Sequence, residues 1–149
     1  MNHYDFEGRT IVVTGGAGGI ALECAKLLVA GGAHAHLVDP REDALLDAVV
    51  ALDGCGNGRV TTHVSSLEGP EACAEAFDTA RDVPYGVIHL AGLFEPDPFD
   101  PAIQDVWDRA IQVNLKSAYD MAVAFSRRRR KGEPGRLVFT TSIAAGRGS

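Results

Sequence analysis

Thr14-Gly15-Gly16-Ala17-Gly18-Gly19-Ile20-Ala21 is the stretch of this sequence that decides the fold. It follows the apolar, β-branched residues 10–14, which are typical of a buried strand. It opens a segment, about residues 18–30, in which apolar residues recur at helical spacing. The expected buried face of that helix consists of Ile20, Cys24, Leu27, Leu28 and Gly31. The sequence therefore predicts a strand, a glycine-rich turn and a helix in immediate succession.

The glycine-rich turn has the features of a phosphate-binding loop. Glycine adopts a positive φ at little cost and lets backbone N–H groups approach a ligand closely. The helix that follows presents unpaired N–H groups and a positive dipole end, which together favour a pyrophosphate. Two patterns of dinucleotide-binding folds overlap here, G-x-G-x-x-G/A at Gly16, Gly18 and Ala21, and T-G-x-x-x-G-x-G at Thr14, Gly15 and Gly19. A merely flexible turn is the alternative.

Length and composition indicate one ordinary soluble domain. We predict a single domain over residues 1–149, with 46% hydrophobic and 23% charged residues. The net charge of -6 argues against a nucleic-acid partner. The sequence begins without the features of a signal peptide, and no apolar run is long enough to span a bilayer. Cys24, Cys55 and Cys73 contain no C-x-x-C pair, so we expect reduced thiols in a cytoplasmic protein, with Cys24 and Cys73 on buried helix faces.

Predicted strands and helices alternate along the whole chain. Strands that are apolar on both faces and alternate with helices favour a parallel sheet covered on both sides. We therefore predict a three-layer α/β Rossmann fold, a doubly wound parallel sheet with strand order 3-2-1-4-5. The predicted strands cover about residues 10–14, 34–38, 59–64, 86–90 and 136–141, and the predicted helices about residues 18–30, 42–52, 70–80 and 102–130.

Asp39 is the second informative residue, because it ends the predicted second strand and lies 24 residues after Gly15. A carboxylate at that strand end accepts hydrogen bonds from the adenosine ribose and repels a 2′-phosphate, which selects NAD over NADP. Two alternatives remain, a turn aspartate before Pro40 and a cap for the next helix. Arg41 also bears on this choice, since an arginine here could reach a 2′-phosphate.

Three further features favour simpler interpretations. His34 and His36 lie on one face of a strand, but no third ligand accompanies them, so we predict no metal site. The basic run at residues 127–131 suits the negative dipole end of a helix and a solvated surface. The proline-rich residues 95–101 either border a substrate pocket or only set the start of the next helix.

A set of motifs resembles the first part of a short-chain dehydrogenase/reductase across nearly the whole chain. Besides the glycine turn and Asp39, the motifs are Ala91-Gly92, Val113-Asn114-Leu115 and Thr141-Ser142, in the order and spacing of the family. The chain departs from the family pattern at Ala21, which replaces the last glycine, and at His63, which replaces an aspartate near the adenine. His89-Leu90 replaces the usual Asn-Asn and is similar to the extended members, which include epimerases and dehydratases.

The resemblance implies a nicotinamide cofactor, NAD rather than NADP, and a small alcohol or carbonyl substrate. It implies that Asn114 holds a water in a proton relay and that Ser142 hydrogen-bonds the substrate oxygen. The residues expected to contact the cofactor are Thr14, Gly15, Gly16, Ala17, Gly18, Gly19, Ile20, Asp39, Val64, Ala91 and Gly92.

The sequence around Asn114 gives independent support, since Trp107, Ala110, Ile111, Ala118 and Met121 share its predicted helical face. A carboxamide among apolar neighbours needs hydrogen-bond partners to offset its desolvation. A purely structural bond from Asn114 to the backbone is the alternative. For Ser142, an ordinary turn or cap residue is the alternative.

The family's general base, a tyrosine with a lysine four residues later, lies beyond the serine and is not found among these residues. None of Tyr4, Tyr85 and Tyr119 has a lysine at that spacing. We therefore expect the 149 residues alone to be inactive and the longer protein to form a homodimer or homotetramer. The alternatives to an NAD-dependent oxidoreductase are a non-catalytic dinucleotide-binding module or fragment and an extended-type epimerase or dehydratase relative.

Overall fold

The computed structural model describes residues 4–143 and has alternating strands and helices. The strands are β1 (Thr10–Thr14), β2 (His34–Asp39), β3 (Arg59–Val64), β4 (Pro84–His89) and β5 (Arg136–Phe139). The helices are α1 (Gly19–Ala30), α2 (Glu42–Leu52), α3 (Gly69–Asp78), α4 (Asp105–Ile111) and α5 (Ser117–Arg128). A π-helical turn, Gln112–Lys116, joins α4 to α5.

The five strands form one parallel sheet in the order β3-β2-β1-β4-β5, which confirms the predicted topology. The chain order reverses between β1 and β4, so the carboxyl ends of these two strands flank the crevice in which open α/β sheets bind ligands. The register places Thr14 beside His89 and Asp39 beside Val64. Residues that are distant in sequence therefore meet at one edge of the sheet.

Two apolar layers cover the sheet, one on each face. Ile11 and Val13 of β1 point to the layer formed with α1 and α2, and Val12 points to the layer formed with α3 and α5. This alternation explains why β1 is buried at every position, because each of its faces is covered by helices. β3 lies at the edge of the sheet and is partly exposed.

The buried face of α1 differs from the prediction. Ala21, Ala25, Leu28 and Val29 are buried, whereas Ile20 and Leu27 are 69% and 60% exposed. The apolar spacing gave the wrong face because Ala21 and Ala25 allow the helix to lie close to the sheet. The larger side chains of Ile20 and Leu27, on either side of this face, remain in solvent. The buried residues of α2 are Leu45, Ala48 and Leu52.

The predicted long fourth helix is interrupted. The π-helical turn inserts one residue into the helical phase, so residues before it and after it do not share one face. Met121 is buried, but Trp107 is 59% exposed and Asn114 is also exposed. The prediction that Asn114 lies among buried apolar neighbours is therefore wrong, because no described element covers this side of α4.

The sheet ends at β5, which pairs only with β4 in the described part of the chain. Leu137, Val138 and Phe139 are consequently exposed, as expected for a strand at a sheet edge. Cys73 is buried as predicted, whereas Cys24 is only partly buried. No helix within residues 4–143 is long and apolar enough to cross a membrane.

Candidate dinucleotide site

The glycine turn between β1 and α1 is closely packed on one side. Gly15 has a φ of 63°, and a Cβ there would lie 2.8 Å from the Leu90 carbonyl. A Cβ at Gly16 would lie 2.8 Å from Leu37 Cβ and 2.9 Å from Val38 N. These contacts involve backbone or buried atoms that have no room to move, so glycine is required for the turn to rest against β2 and β4.

The other side of the turn is open. A Cβ at Gly19 would meet nothing within 4 Å, although Gly19 is the first residue of α1. The N-cap residue Gly18 offers no side chain to bond the first-turn N–H groups, which have no partner within a helix. Ile20 is exposed beside them. The helix end therefore presents free donors and a positive dipole end to an unfilled space, which suits a phosphate.

Asp39 lies next to this turn at the end of β2, and its side chain is 3% exposed. Its Oδ2 accepts a hydrogen bond of 3.2 Å from the Ala17 N–H, which ties the glycine turn to β2. Its Oδ1 accepts hydrogen bonds of 3.0 Å from both the backbone N–H and the Nε–H of Arg41. Burial acts to raise the pKa of Asp39, but these hydrogen bonds outweigh it and lower the pKa below its ordinary value.

Arg41 is therefore part of the Asp39 site. Its guanidinium also donates to Asp39 Oδ2 at 3.2 Å, and its side chain is 63% exposed. Asp39 makes no side-chain cap to α2, whose N-cap is Arg41, so the helix-cap alternative is wrong. The bond from the Arg41 N–H to Asp39 is the local turn contact expected before a helix. The carboxylate thus joins the glycine turn and the start of the segment before α2 at the carboxyl end of β2.

Asn114 is fixed to the segment that follows β4. Its Oδ1 accepts a hydrogen bond of 2.7 Å from the Leu93 N–H, and its Nδ2 donates one of 2.8 Å to the Leu93 carbonyl. A Cβ at Gly92 would lie 3.5 Å from Asn114 Oδ1. The alternative in which Asn114 bonds to the backbone for structural reasons is therefore observed. The pair also holds Ala91 and Gly92 at the carboxyl end of β4, near the glycine turn.

Thr14 connects the two sides of the crevice. Its hydroxyl oxygen lies 3.2 Å from the backbone N–H groups of both Leu90 and Ala91. It also lies 2.7 Å from Nδ1 of His89, whose Nε2 is 3.1 Å from Ser117 Oγ. Sequence reasoning treated His89 only as a departure from a family pattern and did not consider Ser117, because the strand pairing that joins them is not visible in local sequence.

The remaining predicted site residues lie along the same edge of the sheet. Val64 ends β3 beside Asp39 and is half-exposed. Ser142 lies three residues beyond the end of β5 and is exposed, so it is farther from the strand than predicted. Thr140, between them, donates a hydrogen bond of 3.1 Å to the His89 carbonyl and holds this segment against β4.

The histidines of β2 form a structural network away from this edge. His36 lies between Thr61 and Thr79, at 2.6 and 3.0 Å, and His34 lies 2.8 Å from Asp82. Burial, followed by the neighbouring His34, lowers the pKa of His36 to about 4. Among residues 4–143, no group of three or more histidine, cysteine and acidic side chains is arranged to hold a metal ion.

Comparisons with known proteins agree with this geometry. The family model described as short chain dehydrogenase matches residues 9–149. The chain is 33% identical over 116 residues to the short chain dehydrogenase/reductase dpmpG of Macrophomina phaseolina, with 75% of this chain and 66% of that protein covered. It is 32% identical over 152 residues to the C alpha-dehydrogenase of a Sphingobium species, with 97% and 49% covered.

The solved structures include a short-chain type dehydrogenase/reductase from Mycobacterium ulcerans, which superposes with a TM-score of 0.86 at 30% identity. The match covers 95% of this chain and 54% of that one. The chain spans about half to two thirds of the length of the curated relatives it matches. The family match, the parallel sheet and the glycine turn lead to one conclusion: the chain belongs to the short chain dehydrogenase family.

Proposed function

We propose that this chain is the nucleotide-binding part of an NAD-dependent oxidoreductase that acts on a small alcohol or carbonyl compound. The observation that carries the proposal is the open space at Gly19, at the N-terminal end of α1 and two residues after the Ala17 N–H that bonds the Asp39 carboxylate. A dinucleotide needs both features, a donor-rich helix end for its pyrophosphate and an acceptor for its ribose hydroxyls. When bound, NAD supplies the hydride acceptor.

The preference for NAD over NADP rests on Asp39. Its pKa is lowered, so the carboxylate is ionised at neutral pH and repels a 2′-phosphate. Arg41 works against this repulsion, but its guanidinium is already paired with the same carboxylate. Recruiting the Arg41 guanidinium to a 2′-phosphate would break that pair and leave Asp39 with two fewer hydrogen-bond donors. The charge balance therefore favours NAD.

We further propose roles for Asn114 and Ser142 at the substrate side. Leu93 uses one acceptor site of Asn114 Oδ1 and one of the two Nδ2–H donors, so the side chain is fixed against the crevice wall and keeps one acceptor and one donor for a water of a proton relay. Ser142 follows β5 at the carboxyl edge of the sheet, where a hydroxyl donates to a substrate oxygen. Neither residue is a general base, so the proposed reaction needs a further proton acceptor.

The exposed apolar surface of the described part supports assembly into a homodimer or homotetramer. Trp107, Leu115 and Tyr119 are exposed on α4, the π-helical turn and α5. Apolar side chains gathered on one helical segment favour a protein partner. The three cysteines are free thiols, which supports a reducing compartment such as the cytoplasm.

A non-catalytic dinucleotide-binding module is the second candidate. None of the three tyrosines in this sequence has a lysine four residues later, so the two candidates differ in residues outside this sequence. The coding sequence downstream of Ser149 separates the two candidates. A Tyr-x-x-x-Lys motif shortly after it supports the enzyme, and a stop codon supports the module.

The enzyme proposal is tested by turnover. Secondary alcohols and ketones are supplied with NAD and NADH, and the absorbance of the reduced nicotinamide is followed for the 149-residue chain and for the product of the complete reading frame. The proposal predicts turnover only by a product that contains the tyrosine–lysine pair. A complete product that contains this pair, binds NADH and turns over no member of the panel would contradict hydride transfer to this substrate class.

A further inference from the structure

A chain of hydrogen bonds joins the glycine turn to the π-helical turn that carries Asn114. Thr14 Oγ1 lies 2.7 Å from His89 Nδ1, and His89 Nε2 lies 3.1 Å from Ser117 Oγ. Ser117 Oγ in turn lies 2.5 Å from the Val113 carbonyl oxygen. The side chains of Thr14, His89 and Ser117 are all buried. Water therefore does not compete for these bonds, and each group depends on its neighbour in the chain.

The direction of every bond in this chain follows from hydroxyl chemistry. The Val113 carbonyl can only accept, so the Ser117 hydroxyl donates its single proton there, at 2.5 Å. Ser117 Oγ must then accept from Nε2–H of His89, and burial, which lowers the pKa of His89, keeps that ring neutral. Nδ1 of this tautomer carries no proton, so it accepts from the Thr14 hydroxyl.

The last bond of the chain supports the π-helical turn. The Ser117 backbone N–H reaches the Gln112 carbonyl, five residues back, instead of the Val113 carbonyl four residues back. In an ordinary helix the Val113 carbonyl would take that N–H, and here it takes the Ser117 hydroxyl instead. The hydroxyl thus gives the Val113 carbonyl a donor in place of the Ser117 N–H that the wider turn takes away.

We propose that His89 is a positioning residue that selects the π-helical turn and thereby places Asn114 on Leu93. Its Nε2–H orients the Ser117 hydroxyl, the hydroxyl satisfies the Val113 carbonyl, and the inserted residue directs the Asn114 carboxamide to the backbone of Leu93. The value of this placement for catalysis rests on the proposed function. The hydrogen-bond pattern itself needs no cofactor or substrate and can be measured without either.

The tautomer is tested directly on the wild-type chain by nitrogen NMR of selectively labelled histidine. The proposal predicts a pyridine-type shift for His89 Nδ1 and a pyrrole-type shift for Nε2 near neutral pH. Assignment uses His89→Asn, which removes one set of ring signals. The opposite pattern would overturn the proposal, because an unprotonated Nε2 could not donate to the Ser117 hydroxyl.

The coupling to the π-helical turn is tested by scalar couplings across hydrogen bonds. In the wild-type chain, the amide of residue 117 should couple to the carbonyl carbon of Gln112. His89→Asn keeps an acceptor for Thr14, but its shorter side chain does not reach Ser117. The coupling should then move to the carbonyl carbon of Val113. The matched control is His63→Asn, because His63 Nε2 has no hydrogen-bond partner within the described residues, and it should keep the wild-type pattern.

Ser117→Ala provides a second variant in case His89→Asn does not fold. It should also move the coupling of the residue 117 amide to Val113. A coupling that stays on Gln112 in either folded variant would overturn the proposal. Titration with NADH, done separately on the wild-type chain, reports on the proposed function, so a failure to bind nucleotide is distinguishable from a failure of the hydrogen-bond chain.

Discussion

Gly19→Val tests the phosphate-binding assignment with little effect on the fold. A Cβ at Gly19 meets no atom within 4 Å, so the valine methyl groups would occupy the space that we assign to the pyrophosphate. The change replaces a glycine in the first turn of α1, and we expect the free energy of unfolding to change by less than about 0.5 kcal/mol. Ligand binding should instead lose its charge-assisted hydrogen bonds to the helix end.

The expected loss is large enough to measure. Hydrogen bonds to a charged group contribute about 1.5–3 kcal/mol each, so losing two of them costs at least about 3 kcal/mol. That free energy corresponds to a roughly 100-fold or greater increase in the Kd for NADH. The assay is a fluorescence titration of NADH, with urea unfolding as the check on stability. Leu27→Val is the matched control, because it places a valine on the exposed side of the same helix.

Equal NADH affinity in wild type and Gly19→Val would refute the assignment of the pyrophosphate to this turn. Gly16→Ala gives the contrasting result, because its Cβ would lie 2.8 Å from Leu37 Cβ and 2.9 Å from Val38 N. We expect that variant to lose stability, by about 1–3 kcal/mol, since overpacking forces the backbone to shift.

Three further predictions follow from charge, burial and exposed surface. Asp39→Ser should reduce the ratio of the Kd for NADP to the Kd for NAD by about tenfold or more, because it removes the repelling carboxylate and frees Arg41. Parallel titrations with the two nucleotides measure this ratio. Tighter binding of NADP than of NAD by the wild type would show that Arg41 dominates. Burial lowers the pKa of His36 to about 4, so between pH 6.5 and 4 the unfolded chain binds a proton at His36 that the folded chain does not bind. His36 should therefore contribute a fall of about 3 kcal/mol to the free energy of unfolding between pH 7 and 4. His36→Gln should lessen the fall measured by urea unfolding, and an unchanged pH dependence would contradict the burial argument. The 149-residue chain should self-associate through Leu137, Val138 and Phe139, which light scattering measures as a mass above that of the monomer. Val138→Lys should reduce this association. A monodisperse wild-type monomer would contradict the expectation.

The sheet was predictable because its signals are local and repeated. Residues 10–14 are β-branched at every position, and the glycine turn follows at once, so the first strand, turn and helix were assigned correctly. Crossover handedness then left few strand orders, and the predicted order is the observed one. The helix faces were less predictable, since the close approach of α1 to the sheet depends on Ala21 and Ala25, whose small side chains give a weak hydrophobic signal.

The candidate site was only partly predictable. The glycine turn and Asp39 are adjacent as expected, because both follow neighbouring strands at the same sheet edge. The sequence did not determine whether Arg41 pairs with Asp39, because an arginine side chain two residues away has several accessible rotamers. The π-helical turn depends on backbone hydrogen bonds that reach five residues back instead of four, which leaves no compositional trace. The His89–Ser117 bond joins residues 28 apart, a pairing that only the folded sheet brings about.

The most direct test of the central claim is to map the NADH site on the wild-type chain by amide chemical shifts. If the glycine turn holds the dinucleotide, adding NADH should shift the amide resonances of residues 15–20, which include Ala17 beside Asp39. It should also shift those of Ala91 and Gly92. The largest changes should occur at Gly19 and Ile20, where the helix end is open. An absence of shifts in these residues at saturating NADH, or shifts confined to the opposite edge of the sheet around Arg9 and Arg136, would contradict the account.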